Sequence, residues 1–215
     1  MSDLPLIRII DDDVDVLNSQ RMLLETLGWE VVTYESGIEF LKRDSLKRPG
    51  CLVLDMRMPG MTGIEVQQEL ERRGVSHLSI IFLSAHGDID MAVHAMRHGA
   101  VDFVQKPADP VYMLRRVSTA VAASVEKEVR IAEIARIRSL ASRLSPREAD
   151  VAQCLAHGLK NKEIARRLGI EETTVKMHRT NALAKLEAAS SAEVVRMFTI
   201  LDFEKPASQE PLRHD

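Results

Sequence analysis

Residues 51–60 read CLVLDMRMPG. An apolar run leads into a single carboxylate, Asp55, and the chain then turns at Pro59-Gly60. A short apolar run bounded by a turn reads as a strand buried on both faces. A buried strand that ends on a charge needs a partner for that charge, which the rest of the sequence has to supply.

Four further runs resemble the first: LIRII (6–10), EVVTY (30–34), SIIFL (79–83) and VDFVQ (101–105). Amphipathic segments separate them near 14–27, 36–43, 63–72 and 88–98. This alternation predicts βαβ units, hence an α/β domain with a five-stranded parallel sheet and helices on both faces. The second and fifth runs are the most mixed in polarity, as expected at sheet edges.

Beyond Lys106-Pro107 the strand signal stops. Leu114, Val117, Val121, Val125 and Val129 recur at helical spacing, predicting one long helix from Pro110 to about Leu144. Its later half, with Glu126, Glu128, Arg130 and Arg136, suits a linker that pairs with another copy as a short coiled coil. Ser145-Pro146-Arg147-Glu148 is a capping box with proline at the first helical position. Three more helices are expected, over 161–168, 171–186 and 192–200. The expected organisation is a domain over 1–123, a helical linker over 124–143, an all-α four-helix domain over 144–203, and a polar, disordered tail over 204–215.

Composition is that of an ordinary globular chain of 215 residues, and no apolar run reaches membrane-span length. No signal-peptide pattern opens the chain, and Cys51 and Cys154 read as free core thiols, so a cytoplasmic location is expected. Charge is uneven. Residues 1–123 hold 13 basic against 18 acidic side chains, net −5, whereas 160–185 hold 7 against 3, net +4. Two modules with different partners are implied.

In an open parallel sheet, ligands bind beyond the carboxyl ends of the strands. The first strand ends in Asp11-Asp12-Asp13, the third in Asp55 and the fourth in Ser84, and the fifth leads into Lys106. Asp13 is also a natural helix N-cap. Three converging carboxylates repel, and a hard divalent cation such as Mg²⁺ (or Mn²⁺), together with the Lys106 ammonium, would neutralise them. Such a site suits phosphoryl transfer to Asp55, with Ser84 donating to a phosphoryl oxygen.

The acidic pair, LDMRMPGMTG, SAHGD and KP together resemble the receiver domain of bacterial two-component response regulators. The resemblance implies a flavodoxin-like, doubly wound sheet with Asp55 as phosphoacceptor. Mg²⁺ would be held by Asp12, Asp55 and the backbone carbonyl of Arg57, with Asp11 assisting. Lys106 would contact the phosphoryl group and be followed by a cis peptide bond. Ser84 and Phe103 match the switch pair, and Arg57 and His86 sit where the family tunes dephosphorylation.

The helical region offers a short helix, a glycine turn and a longer helix, the pattern of a DNA-binding helix-turn-helix or of a plain helical bundle. Lys176, Met177 and Thr180 share one face of the longer helix and would read bases. Asn161, Lys162, Thr174, Arg179 and Lys185 are candidate phosphate contacts. The stretch LSPREADVAQCLAHGLKNKEIARRLGIEETTVKMHRTNALAKL resembles the LuxR-type DNA-binding domain over its whole length. With the receiver, it makes the chain similar to NarL/FixJ family response regulators over roughly 5–200.

The resemblance implies a transcription factor, not a conventional enzyme, that catalyses its own phosphorylation and dephosphorylation. A sensor histidine kinase would phosphorylate it, and phosphorylation would favour a homodimer across 88–105 and binding to double-stranded DNA, with no membrane partner. Two alternatives stay open: a helical domain that binds protein or RNA, and control independent of phosphorylation. A phosphohydrolase with an aspartate nucleophile would need a second Asp where Arg57 stands. A flavin phosphate would be repelled by Asp11-Asp12-Asp13.

Overall fold

The structure is a computed structural model that describes residues 4–85 and 89–203. It divides at Val129–Arg130 into two compact units.

In the first unit, β1 (Leu6–Ile10), β2 (Glu30–Tyr34), β3 (Gly50–Asp55), β4 (Ser79–Ser84) and β5 (Asp102–Gln105) form one parallel sheet in the order β2-β1-β3-β4-β5. Helices α1 (Val14–Thr26), α2 (Gly37–Arg43), α3 (Gly63–Arg72) and α4 (Ile89–Arg97) connect the strands. β1, β3 and β4 are buried along their full length, whereas β2 and β5 stand at the edges and are partly exposed. Strand alternation splits the core in two. Ile7, Ile9, Cys51, Val53, Ile81 and Leu83 pack with Leu17 and Leu24 of α1. Ile10, Leu52, Leu54, Ile80 and Phe82 face the opposite way, with Phe40, Val66 and Leu70. The strand order places the reversal of winding between β1 and β3, so their carboxyl ends flank the crevice where such sheets bind ligands.

One residue breaks the apolar pattern. Arg8, in the middle of β1, is fully buried. Its Nε donates to Asp44 Oδ2 at 2.7 Å, and the Tyr34 hydroxyl donates to the same oxygen at 2.8 Å. The charge therefore stays in the core as a hydrogen-bonded pair, the condition under which burial is tolerated.

The long helix, α5, runs Pro110–Ala141. Met113, Val117, Ala120 and Val121 belong to the sheet-side core, and Val125 packs partly against it. Ser124 is buried; its hydroxyl donates to the His77 carbonyl at 2.6 Å and accepts the Gly50 amide at 2.7 Å. At the far end Ile137 and Leu140 enter the core of the second unit. Val129 and Ile131, further along α5 than Val125, are exposed.

The second unit comprises the end of α5 with α6 (Pro146–Ala156), α7 (Asn161–Leu168), α8 (Glu172–Lys185) and α9 (Ser191–Phe203). The Ser145/Glu148 capping box forms as the sequence predicts. Gly169 closes α7 with φ +65°, a left-handed turn that costs glycine no Cβ clash and starts the chain toward α8. Val151, Leu155, Ile164, Val175, Ala182, Leu186 and Val194 form the shared core. Cys51 and Cys154 are both free and buried. Among the described residues no helix is long and apolar enough to cross a membrane. The 204–215 tail and His86 lie outside the described residues.

Candidate phosphoryl-transfer site and DNA-reading helix

β1 and β3 are adjacent, with Ile10 paired to Leu54, so the residues that follow them, Asp11 and Asp55, emerge side by side. Lys106 follows β5 and reaches across the end of β4. Its Nζ lies 2.5 Å from Asp11 Oδ2 and 2.5 Å from Asp55 Oδ1. The Asp55 charge therefore has its partner, and a single ammonium serves both carboxylates. The Lys106 amide donates to the Ser84 carbonyl at 2.7 Å, and the Lys106–Pro107 bond is cis. These residues line a cavity of about 320 Å³ with Asp12, Asp13, Met56, Arg57, Ser84 and Ala85.

Asp11 and Asp55 are buried and Asp12 is exposed. Burial is the largest influence on Asp11 and raises its carboxyl pKa; hydrogen bonds from Lys106 and the Asp13 amide pull the other way without overcoming it. For Lys106, burial alone would favour the neutral amine, but hydrogen bonds to Asp11 and Asp55 outweigh it and raise the pKa. Asp55 Oδ2 also accepts the Arg57 amide at 2.8 Å, which fixes the carboxylate plane. Asp13 caps α1 by accepting the Asp15 and Val16 amides.

A divalent cation fits this donor set. Among the described residues, Asp11, Asp12 and Asp55 offer oxygens that all lie within 4.8 Å of one another. Clustered hard oxygen donors with one exposed member are what Mg²⁺ or Mn²⁺ requires, since such an ion keeps several waters.

One residue beside this site carries no chemical signature in the sequence. Gly63 opens α3, and a Cβ there would stand 2.4 Å from the Asp55 carbonyl oxygen. Its amide donates to the Met56 carbonyl at 3.1 Å. Only glycine lets α3 approach the strand end this closely. The PGMTG turn was the available signal, but nothing local shows which glycine meets a neighbouring backbone.

Phe103 lies on β5 beside Phe82 and packs partly against the α3/α4-side core. Ser84 closes β4 and is buried.

In the second unit the expected DNA contacts separate into two sets. Lys176, Met177 and Thr180 are exposed on α8, with Met177 53% exposed despite its apolar side chain. Lys162 is exposed, and Asn161 and Thr174 are half-buried. Lys185, Arg179 and, as an acceptor of Arg179, Asn161 have side-chain partners inside the unit. Lys185 Nζ donates to Glu148 Oε2 at 2.6 Å, and Arg179 donates to Asn161 and Ser191.

Sheet, acidic crevice and helical unit define a two-module regulator, and the comparisons agree. The family model "Response regulator receiver domain" matches residues 7–118, and "Bacterial regulatory proteins, luxR family" matches 142–198. The chain belongs to the receiver-containing response regulators and carries a LuxR-type DNA-binding domain: it is a FixJ-like transcriptional response regulator. It is 39% identical to the transcriptional regulatory protein FixJ of Azorhizobium caulinodans over 191 residues, covering 89% of this chain and 90% of that one. It is 39% identical to the tetrathionate response regulatory protein TtrR of Salmonella typhimurium, covering 95% and 94%. The solved structure of the response regulator StyR superposes with a TM-score of 0.79 at 39% identity, covering 91% and 98%.

Proposed function

We propose that Asp55 accepts a phosphoryl group from a histidine kinase, and that this drives homodimerisation and binding to duplex DNA. The observation that carries the reading is Lys106 Nζ at 2.5 Å from both Asp11 and Asp55, in a crevice that also holds Asp12. In the transfer, an Asp55 carboxylate oxygen attacks phosphorus. The P–O bond forms as the P–N bond to the kinase histidine breaks, and the electron pair returns to the imidazole. Asp12, Asp55 and the Arg57 carbonyl, with Asp11 assisting, would hold Mg²⁺ or Mn²⁺, which when bound supplies positive charge beside the transferred group. Lys106, now shared by Asp11 and Asp55, turns one N–H toward a phosphoryl oxygen, and the Ser84 hydroxyl donates to another. The same residues support self-hydrolysis, in which water attacks phosphorus and Asp55 leaves as its carboxylate.

Ser84, drawn to the phosphoryl group, vacates space that Phe103 fills from β5. The α4–β5 surface then changes shape, and two receivers pair across it. Val93 and Met96, both 45% exposed on α4, supply its apolar contact. Pairing places two copies of α8 on two half-sites, and effective concentration makes up for the weak grip of each. Lys176, Met177 and Thr180 read base edges, while Asn161, Lys162 and Thr174 hold phosphates. A protein that works on DNA with a kinase as its donor works in the cytoplasm.

The test compares the parent with Asp55→Asn, each treated with Mg²⁺ and a small acyl phosphate. Intact mass and sedimentation are recorded. An adduct and a dimer in the parent alone are expected. A dimer without an adduct, or an adduct that persists in Asp55→Asn, would overturn the assignment.

A further inference from the structure

The face of α8 behind its exposed residues carries Arg179, which is half-buried and two-handed. Its Nη1 donates to Asn161 Oδ1 at 3.0 Å, and its Nη2 donates to Ser191 Oγ at 2.7 Å. Asn161 is the first residue of α7, and Ser191 is the first residue of α9. One planar guanidinium therefore joins α8 to the starts of two other helices.

We propose that Arg179 is a positioning residue for DNA recognition: it locks the angle at which α8 leaves the α7–α8 turn, and it does not act as a phosphate contact. The proposal rests on the reading of α8 as the DNA-reading helix. Three features carry it. First, both acceptors are neutral side-chain oxygens at helix starts, so the arrangement gains direction and not charge neutralisation. Second, the turn pivots on Gly169, whose left-handed conformation fixes the backbone path but has no side chain to brace α8. Third, the guanidinium fork presents two N–H groups in a fixed plane, and this suits a three-way junction that the point charge of a lysine cannot reproduce. By contrast, Lys176, Met177 and Thr180 stand exposed on α8, and the Thr180 hydroxyl donates only within the helix, to the Lys176 carbonyl at 3.0 Å, so none of the three joins α8 to another helix through a bond of this kind.

The two roles predict different measurements. A phosphate contact acts through charge, so Arg179→Lys would keep most of the affinity. Arg179→Met would then flatten the dependence of log K on log salt by roughly 0.9 per protomer. A positioning residue acts through geometry. Arg179→Lys should then fail about as badly as Arg179→Met, the salt slope should hold, and the loss should fall on sequence discrimination.

The experiment uses the full chain with Mg²⁺ and a small acyl phosphate. A duplex is enriched from a random-sequence pool by the parent protein, and a scrambled version of it serves as the nonspecific probe. Affinity for both is measured across a salt series for the parent, Arg179→Lys, Arg179→Met and Ser191→Ala. Circular dichroism confirms that each variant is folded at the assay temperature. We expect both Arg179 variants to lose roughly tenfold or more on the enriched duplex and little on the scrambled one, with unchanged salt slopes. Ser191→Ala, which removes one acceptor and leaves the charge, should show a smaller loss of the same kind.

Retained affinity in Arg179→Lys with a flattened slope in Arg179→Met would overturn the proposal in favour of a phosphate contact. Should the Arg179 variants not fold, Ser191→Ala decides: unchanged discrimination overturns the proposal, and reduced discrimination at constant slope supports it. A parent that enriches no duplex would overturn the underlying DNA-binding reading itself, an outcome distinct from all of these.

Discussion

Lys106 Nζ lies 2.5 Å from Asp55 Oδ1 and makes an equally short contact to Asp11, so one ammonium bridges two buried carboxylates and offsets part of their charge. Its removal leaves the two carboxylates facing each other and withdraws a donor from the incoming phosphoryl group. Lys106→Ala should lower the rate of adduct formation from a small acyl phosphate by about 10²-fold, the usual effect of losing one preorganised donor. A mass-spectrometric time course reads this. A rate equal to the parent's would remove Lys106 from the chemistry. Chelating the divalent cation should likewise suppress the adduct in the parent.

Gly63 gives an independent handle on the same site. A methyl group there would sit 2.4 Å from the Asp55 carbonyl oxygen and 3.0 Å from Phe82, so α3 or the strand end must shift. Gly63→Ala should destabilise the receiver by about 1–3 kcal/mol, as overpacking does, and slow the adduct at the same time. Urea unfolding and the mass time course are read together. An alanine variant that matches the parent in both would show that this approach is not constrained.

The Arg8–Asp44 pair tests what burial of a charge requires. Asp44→Ala leaves a fully buried guanidinium without its carboxylate and should cost about 3–5 kcal/mol. The double substitution Arg8→Met with Asp44→Leu removes both charges and should recover much of that loss. Urea unfolding of the receiver signal distinguishes the two. Equal destabilisation in the single and double variants would mean that packing, not the unpaired charge, sets the cost.

Glu148 provides a pH signature in the helical unit. Its carboxylate accepts from Lys185 and from the Ser145 amide, and these hold its pKa down to about 2 from an ordinary 4.5. A depressed folded-state pKa means that the unfolded chain binds the proton more readily. This stabilisation is therefore complete above about 4.5 and is lost as pH falls through about 2. A carboxyl ¹³C titration of Glu148 should show a midpoint near 2, moving upward in Lys185→Met. A midpoint near 4.5 in the parent would mean the ion pair does not persist in solution.

Period and punctuation made most of the fold legible. The five strands and the connecting helices show as changes between period 2, continuous apolar runs and period 3.6, and the acidic crevice follows because Asp11, Asp55 and Lys106 each stand at a strand end. What stayed hidden depends on contacts distant in sequence. Arg8 looks like a blemish in LIRII until Asp44, 36 residues on, folds over it. Ser124 is one polar residue on a long helix until its hydroxyl meets Gly50 and His77. Arg179 and Lys185 stand in the sequence as candidate phosphate contacts, and composition carries no information about the partners each also finds inside the unit. Periodicity likewise extended one apolar stripe through Val129, whereas the sheet-side core ends near Val125 and leaves Val129 61% exposed.

The pairing surface yields the last prediction. Val93 and Met96 are three residues apart on α4 and each is 45% exposed, so they form a small apolar stripe on that helix. Neither touches the crevice, and a charge placed on the stripe leaves Asp55, Lys106 and Asp11 where they are. Val93→Asp and Met96→Asp should therefore form the phosphoryl adduct at the parent's rate. Their dimers should nevertheless be weakened by about tenfold or more, since desolvated apolar positions dominate such contacts and a buried unpaired carboxylate opposes them. Sedimentation of the phosphorylated variants against the parent reads this directly. An adduct with undiminished dimerisation would place the pairing surface elsewhere, with the exposed Val129 and Ile131 on α5 the next positions to substitute.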